Sequence, residues 1–205
     1  MDKLEFETQV KFYNDDIDLY LNEYIDSLPD QSLIYKPMVF NGLLQYIYKH
    51  CFAIQSDNVY KNHSNIDYNN TYILSYLIDK YLLINYQYNH IPSLLGFSLF
   101  SGISNATLND WLNGRYRANT DSLVDIPGLD KPLSHIQSVK RLKDMCELAL
   151  VSNTAETNSV GSLFLLKANY GYSDQPQPQA LPDRKEPLPT IEDVEQRYLK
   201  PPKLD

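Results

Sequence analysis

The chain has 205 residues, with 18 Lys+Arg against 26 Asp+Glu, a formal net charge of −8. That length fits one or two domains and can bury a real core. The sign of the charge excludes a uniformly basic nucleic-acid coat, and a content of only 7 Gly excludes a collagen-like or Gly-rich polymer; a locally basic surface on an acidic chain stays open.

Aromatic residues make up 12% of the chain, mostly as 17 Tyr, so buried rings with hydroxyls at the core boundary are expected. Two cysteines, Cys51 and Cys146, are too few for a disulfide scaffold. His50, His63, His90 and His135 show no paired spacing with them, so no metal site is expected, and no cofactor. The N-terminal MDKLEFETQV has acids where a signal peptide needs a basic and then an apolar run. No apolar stretch reaches the roughly 20 residues that span a bilayer. The longest candidate, Tyr72 to Ile84, is broken by Ser75, Asp79 and Lys80. A soluble, intracellular protein with no membrane partner is the expectation.

Charge and breakers divide the chain into four regions. Residues 1–90 are Tyr/Asn-rich and acidic, with 12 acids and 6 bases. Residues 91–132 hold the main motif, 133–174 a long helical region, and 175–205 a tail with seven of the 12 Pro. In chain order, residues 8–27 read as a helix, with Ile17, Tyr20, Leu21, Tyr24 and Ile25 at three- and four-residue steps. Leu28-Pro29-Asp30 stops it. Pro37 opens a second helix through Met38, Phe40, Leu43, Leu44, Ile47 and Tyr48, to about Ile54. Residues 55–70 are polar and Asn-rich, hence a loop. A third helix is expected from Thr71 to about Asn89, with Tyr72, Ile73, Tyr76, Leu77, Tyr81, Leu83 and Ile84 apolar. No strand-like alternation is present, so the fold class is all-α.

Residues 91–113 read IPSLLGFSLFSGISNATLNDWLN. Pro92 suits a helix start, and Ser93–Ser101 is expected to bury Leu94, Leu95, Phe97 and Leu99 or Phe100. Gly102 ends that helix in a left-handed turn, Ile103 plugs the core behind it, and Ser104 caps the next helix, Asn105–Asn113. Leu108, Trp111 and Leu112 face inward, and small Ser98 lets the two helices approach. This is the helix-turn-helix pattern. It fits a DNA reader, and it also fits an ordinary helical hairpin in a core. As a reader it would lay Ser104, Asn105, Thr107, Asn109, Asp110 and Asn113 in the major groove of double-stranded DNA, where carboxamides and hydroxyls meet base edges. Arg115-Tyr116-Arg117 just beyond suits phosphate gripping, or is a solvated turn.

Residues 118–133 are irregular. A long helix is expected from Leu133 to about Ser152, with Ile136, Val139, Leu142, Met145, Cys146, Ala149 and Leu150 inward. Lys140, Arg141 and Lys143 form a basic cluster on its other faces, for DNA, a partner or water. A shorter helix over Thr157–Asn169 is expected to bury Val160, Leu163, Phe164 and Leu166. The tail cannot fold alone and reads as disordered, with a short amphipathic stretch from Thr190 to Leu199 suited to docking on a partner.

Two of these segments together resemble the small terminase subunits of tailed bacteriophages. LLGFSLFSGISNATLNDWL is similar to their helix-turn-helix. Val160 to Asp174, VGSLFLLKANYGYSD, is similar to the family's closing string, with Tyr172 where Trp is usual. The resemblance covers residues 91–174 and leaves residues 1–90 without a counterpart. It implies a non-catalytic, DNA-recognising homo-oligomer in the cytoplasm of a bacterial host. It further implies ring assembly through Leu133–Asn169 and docking of 175–205 on the large terminase subunit. No GxxxxGK[ST] is present, so the ATPase motor activity of a large subunit is excluded. Asp15, Asp16 and Asp18 lie close together but on an amphipathic helix, not in a nuclease cluster. Two other readings keep their place: a helix-turn-helix transcriptional regulator of a phage or mobile element, acting as a dimer, and an interaction protein without DNA.

Overall fold

A computed structural model describes residues 2–54, 64–67, 69–115 and 126–173. The described residues are helical, and no strand forms among them beyond an isolated bridge between Ala53 and Ser64. The tail 175–205 lies outside the described residues, as do its amphipathic stretch, residues 118–125 of the irregular segment, and residues 55–63 and 68 of the Asn-rich loop. No helix among the described residues is long and apolar enough to cross a membrane.

Helix α1 spans Lys3–Asp26. It begins five residues before the expected start at residue 8, because Asp2 caps it: its carboxylate accepts from Glu5 N–H at 2.8 Å. Tyr13, Ile17 and Leu21, four residues apart, are its buried row. A short 3₁₀ turn, Gln31–Tyr35, leads to α2, Pro37–Ile47, with Pro37 in its first turn. The chain then continues as a π-helical turn, Tyr48–Phe52, closed by Ala53 N–H donating to Tyr48 O at 2.9 Å. Helix α3, Thr71–Gln87, is capped by the Asn70 side chain and is apolar on most sides, as suits the central helix of a core. Helices α4, Leu94–Ser101, and α5, Asn105–Leu112, follow. Helix α6 spans His135–Thr157 behind a reciprocal cap, Ser134 with Gln137. Helix α7, Val160–Tyr170, folds back along α6, where Asn153 Nδ2 donates to Ser162 Oγ at 2.6 Å.

One core runs through α1 to α6, from Ile17 and Leu21 through Leu43, Leu77 and Tyr81 to Phe97, Trp111 and Leu142. The compositional regions 1–90, 91–132 and 133–174 all contribute to it. The expected apolar faces need correction at their edges. Met38 is 88% exposed, and Leu83 and Leu95 are exposed as well, because no helix among the described residues covers the first turns of α2 and α4 or the outer side of α3. The largest correction is α7: Val160 is 80% and Phe164 68% exposed, and only Ser162 and Leu166 are buried. Among the described residues this helix packs mainly on α6, and the row facing α6 is the one covered.

Two close approaches set the position of α4. Tyr81 is buried in α3, and its hydroxyl donates to Ser93 O and accepts from Ser93 N–H, both at 3.0 Å. A Cβ at Gly96 would overlap that hydroxyl. At the other end, Gly102 has φ +72°, and a Cβ there would overlap the Tyr48 ring. Ser98 is only half-buried; the buried small residue is Ser101, whose hydroxyl donates to Phe97 O and accepts from Ile103 N–H. Gly102→Ala is therefore expected to lower stability by about 3 kcal/mol, the sum of a left-handed backbone and an overfilled contact. Gly114→Ala, with φ +66° but its nearest neighbour 3.7 Å away, should cost about 1 kcal/mol. Thermal unfolding of the two variants tests that order; equal losses would contradict it.

Candidate nucleic-acid interface

The α4–Gly102–α5 unit is built from its inner face outward. Phe97, Phe100, Ile103, Leu108 and Trp111 are all buried, and Trp111 lies against His135 at the start of α6, ring centres 4.8 Å apart. Ser104 caps α5: its hydroxyl accepts from Thr107 N–H at 3.1 Å and pairs with the Thr107 hydroxyl at 2.8 Å. With Leu108 and Trp111 turned inward, the opposite face of α5 is polar by helical geometry.

On that face Ser104, Asn105 and Asn113 are exposed, and Thr107, Asn109 and Asp110 are half-buried. Asn105, Asn109 and Asn113, at four-residue steps, form one row, Thr107 points to another side of the helix, and several of the six expected residues are already engaged. Asn109 Nδ2 donates to Asn105 O and Asn113 Nδ2 to Asn109 O, each at 2.8 Å. The carboxamide donors rest on their own helix, and the Ser104 and Thr107 hydroxyls serve the cap. Arg115 follows on the exposed turn, its N–H bonded to Asp110 O. Tyr116 and Arg117 lie outside the described residues.

The basic cluster of α6 does not stay together. Residues 141 and 143 are two positions apart on a helix and so point to nearly opposite sides. Arg141 pairs with Asp79 of α3 at 2.6 Å, away from α5. Lys143 places its Nζ 5.5 Å from the centre of the Tyr170 ring. It also lines an open groove of about 500 Å³ with Asn105, Asn109, Leu112 and Asn169. Lys140 is exposed. Lys143 thus joins the α5 surface, and Arg141 does not.

A second groove, of about 560 Å³, borders α5 on another side and was not foreseen from the sequence. Gln45, Tyr48 and Lys49 from α2 and the π-helical turn face Ser98, Leu99, Gly102, Ser104 and Asn105 across it. Asn105 lines both grooves, so the first turn of α5 is a ridge between them.

Elsewhere, Asp18 of the acidic trio is held by Lys80 at 2.6 Å, and Lys80 also donates to Asn14 Oδ1 at 2.8 Å. Among the described residues, no three His, Cys, Asp or Glu side chains group as a metal site. Comparison with protein-family models, with curated proteins and with solved structures gives no match.

The two thiols are set by burial. Desolvation pushes Cys146 up to about 12, and desolvation with the nearby Asp16 charge does the same for Cys51. A raised thiol pKa leaves almost no thiolate at neutral pH. In the native protein both are expected to resist a thiol-labelling reagent at about neutral pH and to react fully in about 6 M guanidinium, a full denaturant. Rapid native labelling of Cys146 would contradict its burial.

Proposed function

We propose that the chain is a non-catalytic small terminase subunit. It binds double-stranded DNA through α4 and α5 as a helix-turn-helix, assembles as a homo-oligomer, and presents viral DNA to the large terminase subunit through its C-terminal tail in the bacterial cytoplasm. No cofactor takes part in that role. The observation that carries the reading is the α4–Gly102–α5 unit: a glycine-turned, Ser-capped helix pair with an aromatic inner face and a polar outer one. Its support in sequence is the joint resemblance of that unit and of Val160 to Asp174 to one family.

The assembly part has its own support. Val160, Leu163 and Phe164 of α7 stand exposed, and so do Leu148 and Val151 of α6, all in the segment that the resemblance makes the ring-forming region. An apolar face of that kind on one chain is covered in an oligomer. In the reader, Arg115, Arg117 and Lys143 supply phosphate contacts beside the base-facing Asn105, Asn109 and Asn113. The Asp79-bound Arg141 takes no part.

Two measurements test this. Native mass determination of the full chain should give a multi-subunit ring, and Phe164→Ser should reduce the mass without unfolding the protein. A stable dimer would favour the transcriptional-regulator reading instead. In duplex binding measured across salt concentrations, Arg115→Ala with Arg117→Ala should weaken affinity and flatten the salt slope. Unchanged binding and slope would remove that pair from the interface.

A further inference from the structure

We infer that the N-terminal region, which has no counterpart in the resemblance, supplies a second phosphate-gripping element, with Lys49 of the π-helical turn as its cation and Gln45 as its neutral hydrogen-bonding neighbour. The inference rests on the DNA-reading role proposed for α5 and extends it to a part of the chain that its net charge argued against.

Three observations carry it. The first is placement. Lys49 and Gln45 form one wall of the groove whose other wall is Ser104 and Asn105. Across the α5 ridge, the other groove carries Lys143. A helix lying in the major groove, about 12 Å wide, has a phosphate backbone on each side. A cation in each flanking groove matches that layout.

The second is charge. The negative charge of residues 1–90 is not spread through them. From residue 31 to residue 56 there is no Asp or Glu, while Lys36 and Lys49 are present. Of the acids of α1, Asp18 is held by Lys80, Glu23 accepts from the Tyr46 hydroxyl of this segment at 3.0 Å, and Asp16 lies near Cys51; none of them pairs with Lys49. Lys49 is exposed and has no ion-pair partner among the described residues. A compact cation on a flexible stem suits a phosphate oxygen at the rim of a groove.

The third is rigidity. Tyr48, next to Lys49, lies against the Gly102 backbone so closely that no Cβ fits between them. The Lys49 backbone is thereby held in register with the turn that sets α5. A phosphate contact from a fixed backbone positions the duplex instead of merely attracting it.

The test is duplex binding by the full chain, followed by fluorescence anisotropy at several potassium chloride concentrations, with Lys49→Ala, Lys49→Arg and Lys36→Ala. Loss of the Lys49 contact should reduce the slope of log affinity against log salt by about 0.9 for each engaged subunit. It should weaken binding roughly three- to tenfold near 0.1 M salt, equally on unrelated duplexes. Lys49→Arg should restore both. Lys36→Ala, outside the groove, should leave both unchanged. Wild-type affinity and slope in Lys49→Ala, with salt-dependent binding by the wild type, would overturn this inference and leave the α5 reading standing. No salt-dependent duplex binding by the wild type would overturn both.

Discussion

The missing side chain at Gly102 holds two parts of the molecule together. Because that position carries only hydrogen, the Tyr48 ring can lie on the backbone of the turn between α4 and α5. Because the same residue sits at φ +72°, the chain reverses there without the strain another residue would meet. Ile103 then drops into the core and Ser104 starts α5. The direction of α5 therefore depends on α2 and its π-helical extension as much as on α4. An N-terminal region that looks independent by composition is part of the scaffold that aims this helix.

A similar bracket works at the other end of α4. The buried Tyr81 hydroxyl, which would be costly to leave unpaired, bonds both backbone groups of Ser93 at the edge of the core. The ring meanwhile packs on Phe97 and Phe100, at 5.5 and 5.7 Å between centres. Burial pushes the Tyr81 hydroxyl well above its usual pKa, so it stays neutral and keeps donating across the accessible pH range. The high tyrosine content thus has a structural use here: an aromatic body fills the core while its hydroxyl closes the entry to a helix.

The unit from Ser93 to Trp111 was legible from residues alone because its determinants are local. A serine before a helix, a glycine after one, and an aromatic at helical spacing each act within one or two turns. The start of α1 was missed because its cap, Asp2, precedes any apolar residue of the stripe. The α7 face was misread for a different reason. Periodicity shows that Val160, Leu163 and Phe164 are apolar, but burial depends on how many elements cover a helix, and among the described residues α7 packs mainly on α6. Arg141 and Lys143 looked like one cluster because they are close in sequence, whereas their partners, Asp79 and Tyr170, lie on different helices. The Gln45–Lys49 wall could not be read at all, since it meets α5 through tertiary packing such as that of Tyr48 on Gly102.

The bonds between Asn109, Asn113 and their own helix bear on how selective the proposed reader can be. Each carboxamide must leave a carbonyl oxygen at 2.8 Å before it can turn to an adenine edge. Its net contribution is then a difference between two hydrogen bonds, smaller than that of a side chain held ready in water. In the proposed reader, the amides would stay where they are off target and the cations alone would hold the duplex. On target, several small differences must add together. On the proposed function, selectivity would grow with the number of α5 helices laid on the DNA at once, and sequence discrimination would belong to the assembly more than to the single chain.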